Sequence, residues 1–190
     1  MLLSAQQKYI YSLLSEFRCL RRKQILTLME RAYAESKIVV DTCRIDLMIS
    51  QLCHCSGRVR TQGELVMLDG AKPNYLLLEA VDVMLELSED VPAYFSGTPK
   101  KPYILRFTGS DEEARLYSVL RLDGALPELR RAPHERIIWL CTAAQLSEEV
   151  HLPPKHYLAV RQSDGTHRYY GSEEPQNTKR KEHESCPEKK

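Results

Sequence analysis

Between Lys37 and Leu68 the chain reads KIVVDTCRIDLMISQLCHCSG and then RVRTQGELVML, and this stretch restricts the possible folds more than any other. Ile45, Met48, Ile49 and Leu52 recur at the spacing of one buried helical face. Gly57 stands where such a helix needs a C-terminal stop. Val59 to Gln62 and Leu65 to Leu68 read as strands joined at Gly63-Glu64, a tight hairpin whose glycine is free to take a positive φ.

Two shorter helices are expected before this unit. Ser4 can cap a first helix through about Phe17, with Tyr9, Leu13, Leu14 and Phe17 as its buried stripe. Arg18-Cys19-Leu20 breaks the pattern, and a second helix follows over Arg21 to Arg31, with Ile25, Leu26, Leu28 and Met29 apolar. The order is helix, helix, helix, hairpin. That is the order of a winged helix-turn-helix, a module that lays its third helix into a DNA major groove. A fold alone proves no function, so the surface residues must carry the case.

Arg21, Arg22 and Lys23 open the second helix, where like charges meet an unfavourable helix dipole. A phosphate placed there would relieve the repulsion and accept hydrogen bonds from the helix terminus, while a solvated basic face explains the cluster equally well. On the third helix, the face opposite Ile45 holds Cys43, Leu47, Ser50 and His54, flanked by Arg44 and Gln51. Arg44 and Gln51 can make bidentate contacts to guanine and adenine edges, and Ser50 can bond either. Leu47 and Cys43 suit thymine methyl groups or a protein partner. Arg58 and Arg60 occupy alternate positions of one wing strand, and so one face, suited to phosphate or minor-groove contact. Residues 1–70 hold ten Lys/Arg against seven Asp/Glu, and residues 71–172 twelve against fourteen. The amino-terminal part is thus mildly basic, in the direction a DNA-binding module needs.

Cys53-His54-Cys55 is the one metal-like cluster. Residues two apart on a helix diverge by about 200°, and a structural zinc site wants four ligands in separated pairs. The cysteines are therefore expected to pack as small hydrophobes, with no metal and no cofactor. A thiol-based metal sensor remains the third reading, after DNA binding and protein docking.

Beyond the hairpin, Ala80, Val83, Met84 and Leu87 share one face of a fourth helix over Glu79 to Leu87, closing a winged-helix domain at residues 1–88. Residues 89–102 carry three prolines and a glycine among polar residues and read as a linker. Residues 103–171 are expected to form a small mixed α/β sheet domain, making the chain α+β. Tyr103 to Phe107 is a strand by composition. Ser110-x-x-Glu113 is a capping box, but Leu116 to Leu122 is favoured as a strand because Asp123-Gly124 signals a turn. Pro127 to Arg131 reads as a short helix, Arg136 to Thr142 as a strand buried on both faces, and 156–161 with 167–170 as a hairpin around Asp164-Gly165. Residues 172–190 have the composition of a disordered tail.

No enzyme is expected. A metal-dependent nuclease wants carboxylates and an acid-x-Lys pair on adjoining core strands. Asp123, Glu128, Glu135 and Lys155 do not have that spacing, Glu148-Glu149 sits in a polar loop, and His134, His151, His156 and His167 are scattered. A degenerate nuclease-like sheet, kept for binding or dimerisation, is the closest enzymatic reading. Gln6, Gln7 and Lys8 interrupt any leader-like apolar run, and no run is long enough to span a bilayer. With six cysteines in no secretory context, the chain is expected in the cytoplasm without membrane contact.

The segments YIYSLLSEFRCLRRKQILTLM, QLCHCSGRV, YLLLEAVDVMLEL, ILRF and ERIIWLC together resemble winged-helix proteins of Gram-positive plasmids and conjugative elements, akin to the replication-relaxation family. The resemblance implies a role in DNA maintenance, replication or gene control on a mobile element. Its implied partners are double-stranded DNA and either a second copy or a replication or transfer protein. It implies no catalytic residue.

Overall fold

A computed structural model describes residues 2–36, 38–109, 115–123, 129, 132, 134–147 and 152–171. The chain is α+β, with four helices and two sheets among the described residues. The expected capping box at Ser110, the short helix at Pro127, the Glu148-Glu149 loop and the tail 172–190 lie outside the described residues.

Helix α1 (Ala5–Phe17) starts at Ser4, whose hydroxyl accepts from the Gln7 amide while the Gln7 side chain accepts from the Ser4 amide. This reciprocal pairing satisfies two amides that a bare helix start leaves unpaired. Arg18, at φ 64°, ends the helix. The break in pattern after it is a strand, β1 (Cys19–Arg21), that the sequence did not announce. Three residues are too few for a periodic signal. They are extended because β3 (Leu65–Leu68) lies alongside, with Leu20 opposite Val66.

Helix α2 (Arg22–Ala32) therefore begins one residue later than expected, and Arg21 is its extended cap. Helix α3 (Thr42–Ser56) runs from the Asp41 cap to Gly57, which is left-handed at φ 59°, and buries Ile45, Met48, Ile49 and Leu52. Strand β2 (Val59–Gln62) pairs antiparallel with β3, turning at Gly63 with φ 58°. Sheet one has the order β1-β3-β2.

Helix α4 (Tyr75–Leu87) starts four residues before the expected Glu79, because Asn74 accepts from the Leu77 amide and caps it there. It is buried over most of its circumference, as a helix must be when apolar residues surround it. The segment 89–102 contains the two-residue β4 (Phe95–Ser96), which pairs with β5 (Leu105–Thr108). Phe95 stacks on Phe17 with centroids 5.2 Å apart, and the Gly97 amide donates to Glu16 at 2.8 Å.

Strands β6 (Leu116–Arg121), β7 (Arg136–Cys141), β8 (His156–Arg161) and β9 (His167–Gly171) complete a six-stranded sheet ordered β4-β5-β6-β7-β8-β9. Its centre, β6-β7-β8, is parallel and its margins are antiparallel. Every residue of β7 is buried, Ile137 to Cys141 as their apolar run requires and Arg136 with them. One sheet face (Leu105, Phe107, Val119, Ile138, Leu140, Ala159) joins the helical core through α4. The other (Leu120, Ile137, Trp139, Leu158, Val160) is covered by Leu129, Leu146 and Leu152 from the two crossover connections. A short 3-10 helix, Ala143–Ser147, lies in the second crossover.

Candidate nucleic-acid interface

The outward side of α3 divides into three strips. Cys43, Leu47, Ser50 and His54 form the central exposed strip, as the 100° rotation per residue demands. Leu47 stands 58% exposed there. One flank carries Arg44 and Gln51, turned toward the start of α1. The Gln51 side-chain oxygen accepts from Gln7 at 2.7 Å, and the Arg44 guanidinium donates to the Val39 carbonyl at 3.1 Å and to Gln6 at 3.4 Å. The other flank carries Asp46, paired with Arg22 from α2.

The basic start of α2 is spent largely inside the molecule. Arg21 donates to Asp82 of α4 at 2.6 Å, and the Asp82 carboxylate also accepts from Gln24 at 2.6 Å. The carboxylates of Asp82 and Asp46 thus neutralise Arg21 and Arg22, and Lys23 alone of the three stands exposed. Beside the β2-β3 hairpin, Arg58 and Arg60 are both exposed residues, and the Arg60 guanidinium donates to the Ala71 carbonyl beyond β3 at 2.7 Å. The eight expected contact residues fall into two groups. Arg44, Ser50 and Gln51 lie on α3, Arg58 just before β2, Arg60 on β2, and Lys23 on α2. Arg21 and Arg22 hold helices together.

Cys53 is half-buried, and burial pushes its thiol up, whereas His54 and Cys55 are exposed. Only the first of these packs as a small hydrophobe. Among the described residues no three His, Cys, Asp or Glu side chains are arranged to hold a metal ion, and the described cysteines are free thiols.

Two polar clusters went unnoticed in the sequence. Glu135 is buried and accepts from Arg106 at 2.8 Å, from the Ser118 hydroxyl and from the Ala132 amide at 2.9 Å. Burial alone would raise its pKa, but these bonds and the Arg106 charge hold it below the usual carboxylate range. With every oxygen engaged, it is a structural carboxylate. Asp123, another carboxylate weighed for catalysis, pairs with Arg121 at 2.7 Å.

The second cluster joins β9 to α4. Nδ1 of His167 lies 3.0 Å from Glu86, Nε2 lies 3.5 Å from Glu79, and the Tyr169 hydroxyl donates to Glu86 at 2.7 Å. Burial opposes a charge on His167, but the two carboxylates outweigh it and push the pKa up to about 9. A signal for this cluster was present: Glu79, Asp82 and Glu86 form an acidic stripe on an otherwise apolar helix, and buried charges must be paired. What the sequence withheld was the partners.

No family model, curated protein or solved structure matches the chain.

Proposed function

We propose that residues 1–88 act as a winged helix that binds double-stranded DNA, with α3 in the major groove and the β2-β3 wing on the flanking backbone. The reading is carried by one observation. Helix α3 is packed along one side and presents Arg44, Ser50 and Gln51 on the other, and directly after it come Arg58, just before β2, and Arg60 on β2. Ser50 and Gln51 suit base edges, and Arg44 can exchange its long bond to Gln6 for a guanine. Lys23, Arg58 and Arg60 suit phosphates. Arg22 acts one step back, by holding α2 against α3 through Asp46, and Arg21 by holding the start of α2 against α4 through Asp82. The resemblance to mobile-element proteins supplies a setting of replication, maintenance or gene control, with the six-stranded sheet for self-association or for a replication or transfer partner.

A second reading rests on Leu47, 58% exposed at the centre of the same strip, and Val39, 70% exposed just before it. These would serve a protein-docking surface.

Fluorescence anisotropy with random duplex DNA, at low and moderate salt, separates the two. DNA binding predicts micromolar affinity that falls with salt in proportion to the phosphates contacted. Ser50→Glu should weaken it about tenfold or more by setting a carboxylate against phosphate, and Arg58→Ala/Arg60→Ala should flatten the salt dependence. Absence of binding at low salt overturns the DNA reading and leaves docking through Leu47.

A further inference from the structure

A groove crosses the molecule away from α3 and runs onto the sheet face that carries Leu120 and Trp139. Its first part, a cleft of about 350 Å³, lies where α1 ends, against Arg18, Lys72 and Gly97. Its second, of about 760 Å³, lies between the start of α4, the 98–104 segment and the ends of β6 and β7. Asn74, Gly97 and Thr98 line both, so the two are one continuous depression.

The charge along it is one-sided. Among the described residues, Arg18, Lys72, Lys101 and Arg121 line the groove against one carboxylate, Asp123, which is paired with Arg121. Arg60 reaches the same end through its bond to Ala71, itself a lining residue. The whole chain carries a formal charge of only +1, so this is a local concentration. The nearby carboxylate of Glu16 is engaged by the Gly97 amide. Between the cations the wall is apolar: Pro99, Pro102, Tyr103 and Ile104. The Arg106 guanidinium sits 4.9 Å from the Tyr103 ring centre, covering one face of the ring. The second part of the groove lies at the carboxyl ends of the parallel strands β6 and β7, where open sheets of this kind accept ligands.

We infer that this groove binds a single strand of nucleic acid, its phosphates following Arg18, Lys72, Lys101 and Arg121 and its bases resting on the Tyr103–Ile104 wall. Cations spaced along a depression that crosses from one sheet to the other match a polymer with a repeating charge better than a compact anion. Aromatic and apolar side chains between cations are the composition of a sequence-tolerant stacking surface. A duplex, too broad to enter, would touch only the rim. The inference stands apart from the α3 reading, because no residue of α3 lines the groove.

The test measures anisotropy of a labelled oligo-dT strand and of a random duplex with the full chain, wild type and Lys72→Glu/Lys101→Glu. Both lysines are exposed, so the variant should fold, which its circular dichroism checks. Oligo-dT binding should weaken by about tenfold or more, and its salt slope should flatten by roughly 1.4, as expected for two lost phosphate contacts on a single strand. Duplex affinity should stay within about twofold, while Ser50→Glu should show the opposite pattern. Photo-crosslinking of a bromodeoxyuridine strand should mark the peptide containing Tyr103. Three results would each overturn the inference: no oligo-dT binding at low salt, equal weakening of strand and duplex, or binding of inorganic phosphate or mononucleotide with no gain for the polymer. Duplex recognition by α3 is read on its own through Ser50→Glu, so the two readings fail separately.

Discussion

At the residue scale, Glu135 and His167 show how this chain makes buried charge tolerable. A buried ion is costly unless paired and hydrogen-bonded, and Glu135 has three donors. Removing one donor should therefore cost more than the bond itself is worth. Arg106→Met is expected to destabilise by about 3 kcal/mol, because a buried carboxylate loses its counter-charge, and Ser118→Ala by about 1 kcal/mol. Urea unfolding checks both, and equal losses would contradict the assignment. The sequence singles out Glu135 as a carboxylate beside a core strand, but its side-chain partners lie 29 and 17 residues away, beyond any local pattern. His167 carries a pH signature. Its folded pKa, about 9, exceeds the 6.5 of an unpaired imidazole. A raised pKa means the folded state holds the proton more tightly, so the stabilisation is fully present below about pH 6.5 and fades as pH rises through about 9. The loss should be on the order of 2 to 3 kcal/mol, read as a falling Tm over that window. His167→Gln should flatten the same curve.

Among the elements, those with a strong period were legible and those made by contact were not. Four apolar residues on one face defined α3, and an uninterrupted apolar run defined β7. Strand β1 exists because β3 pairs with it, and α4 starts at Asn74 because that side chain caps it. The third-helix surface was legible as a face, yet the bonds from Arg44 to Gln6 and from Gln7 to Gln51 depend on how α1 crosses α3. The proline-bearing stretch at 89–102 is likewise anchored by contacts that its composition conceals. A Cβ on Gly97 would lie 2.7 Å from Cδ1 of Phe17 and 3.2 Å from the Glu16 carbonyl oxygen. Phe17 is fully buried and stacked on Phe95, so its ring has little room to give. Gly97→Ala is expected to cost about 1 to 3 kcal/mol as an overpacked contact. Gly63→Ala meets open space, and only its φ of 58° opposes it, for about 1 kcal/mol. A denaturation series in which Gly97→Ala is the milder of the two would show that the strap does not bear on α1.

For the molecule as a whole, the deciding feature is α4. Its apolar residues enter a core that contains Ile10, Leu28 and Ile49 from the other helices and Leu105, Val119 and Ile138 from the six-stranded sheet. Its acidic stripe binds α2 through Asp82 and β9 through Glu79 and Glu86. Apolar and polar contacts thus tie the same two bodies together, and a helix shared in this way cannot leave one of them without opening the other. The single tryptophan, Trp139, is buried in β7, whereas the four helices dominate the far-ultraviolet circular dichroism. The two signals therefore report separate halves. Coupling through α4 predicts that their urea transitions coincide, as they do in all-or-none unfolding. Met84→Ala, a core truncation expected to cost about 2 to 5 kcal/mol, should shift both midpoints by the same amount. If the variant moves the helical signal and leaves Trp139 in place, the sheet stands on its own and α4 is only its neighbour.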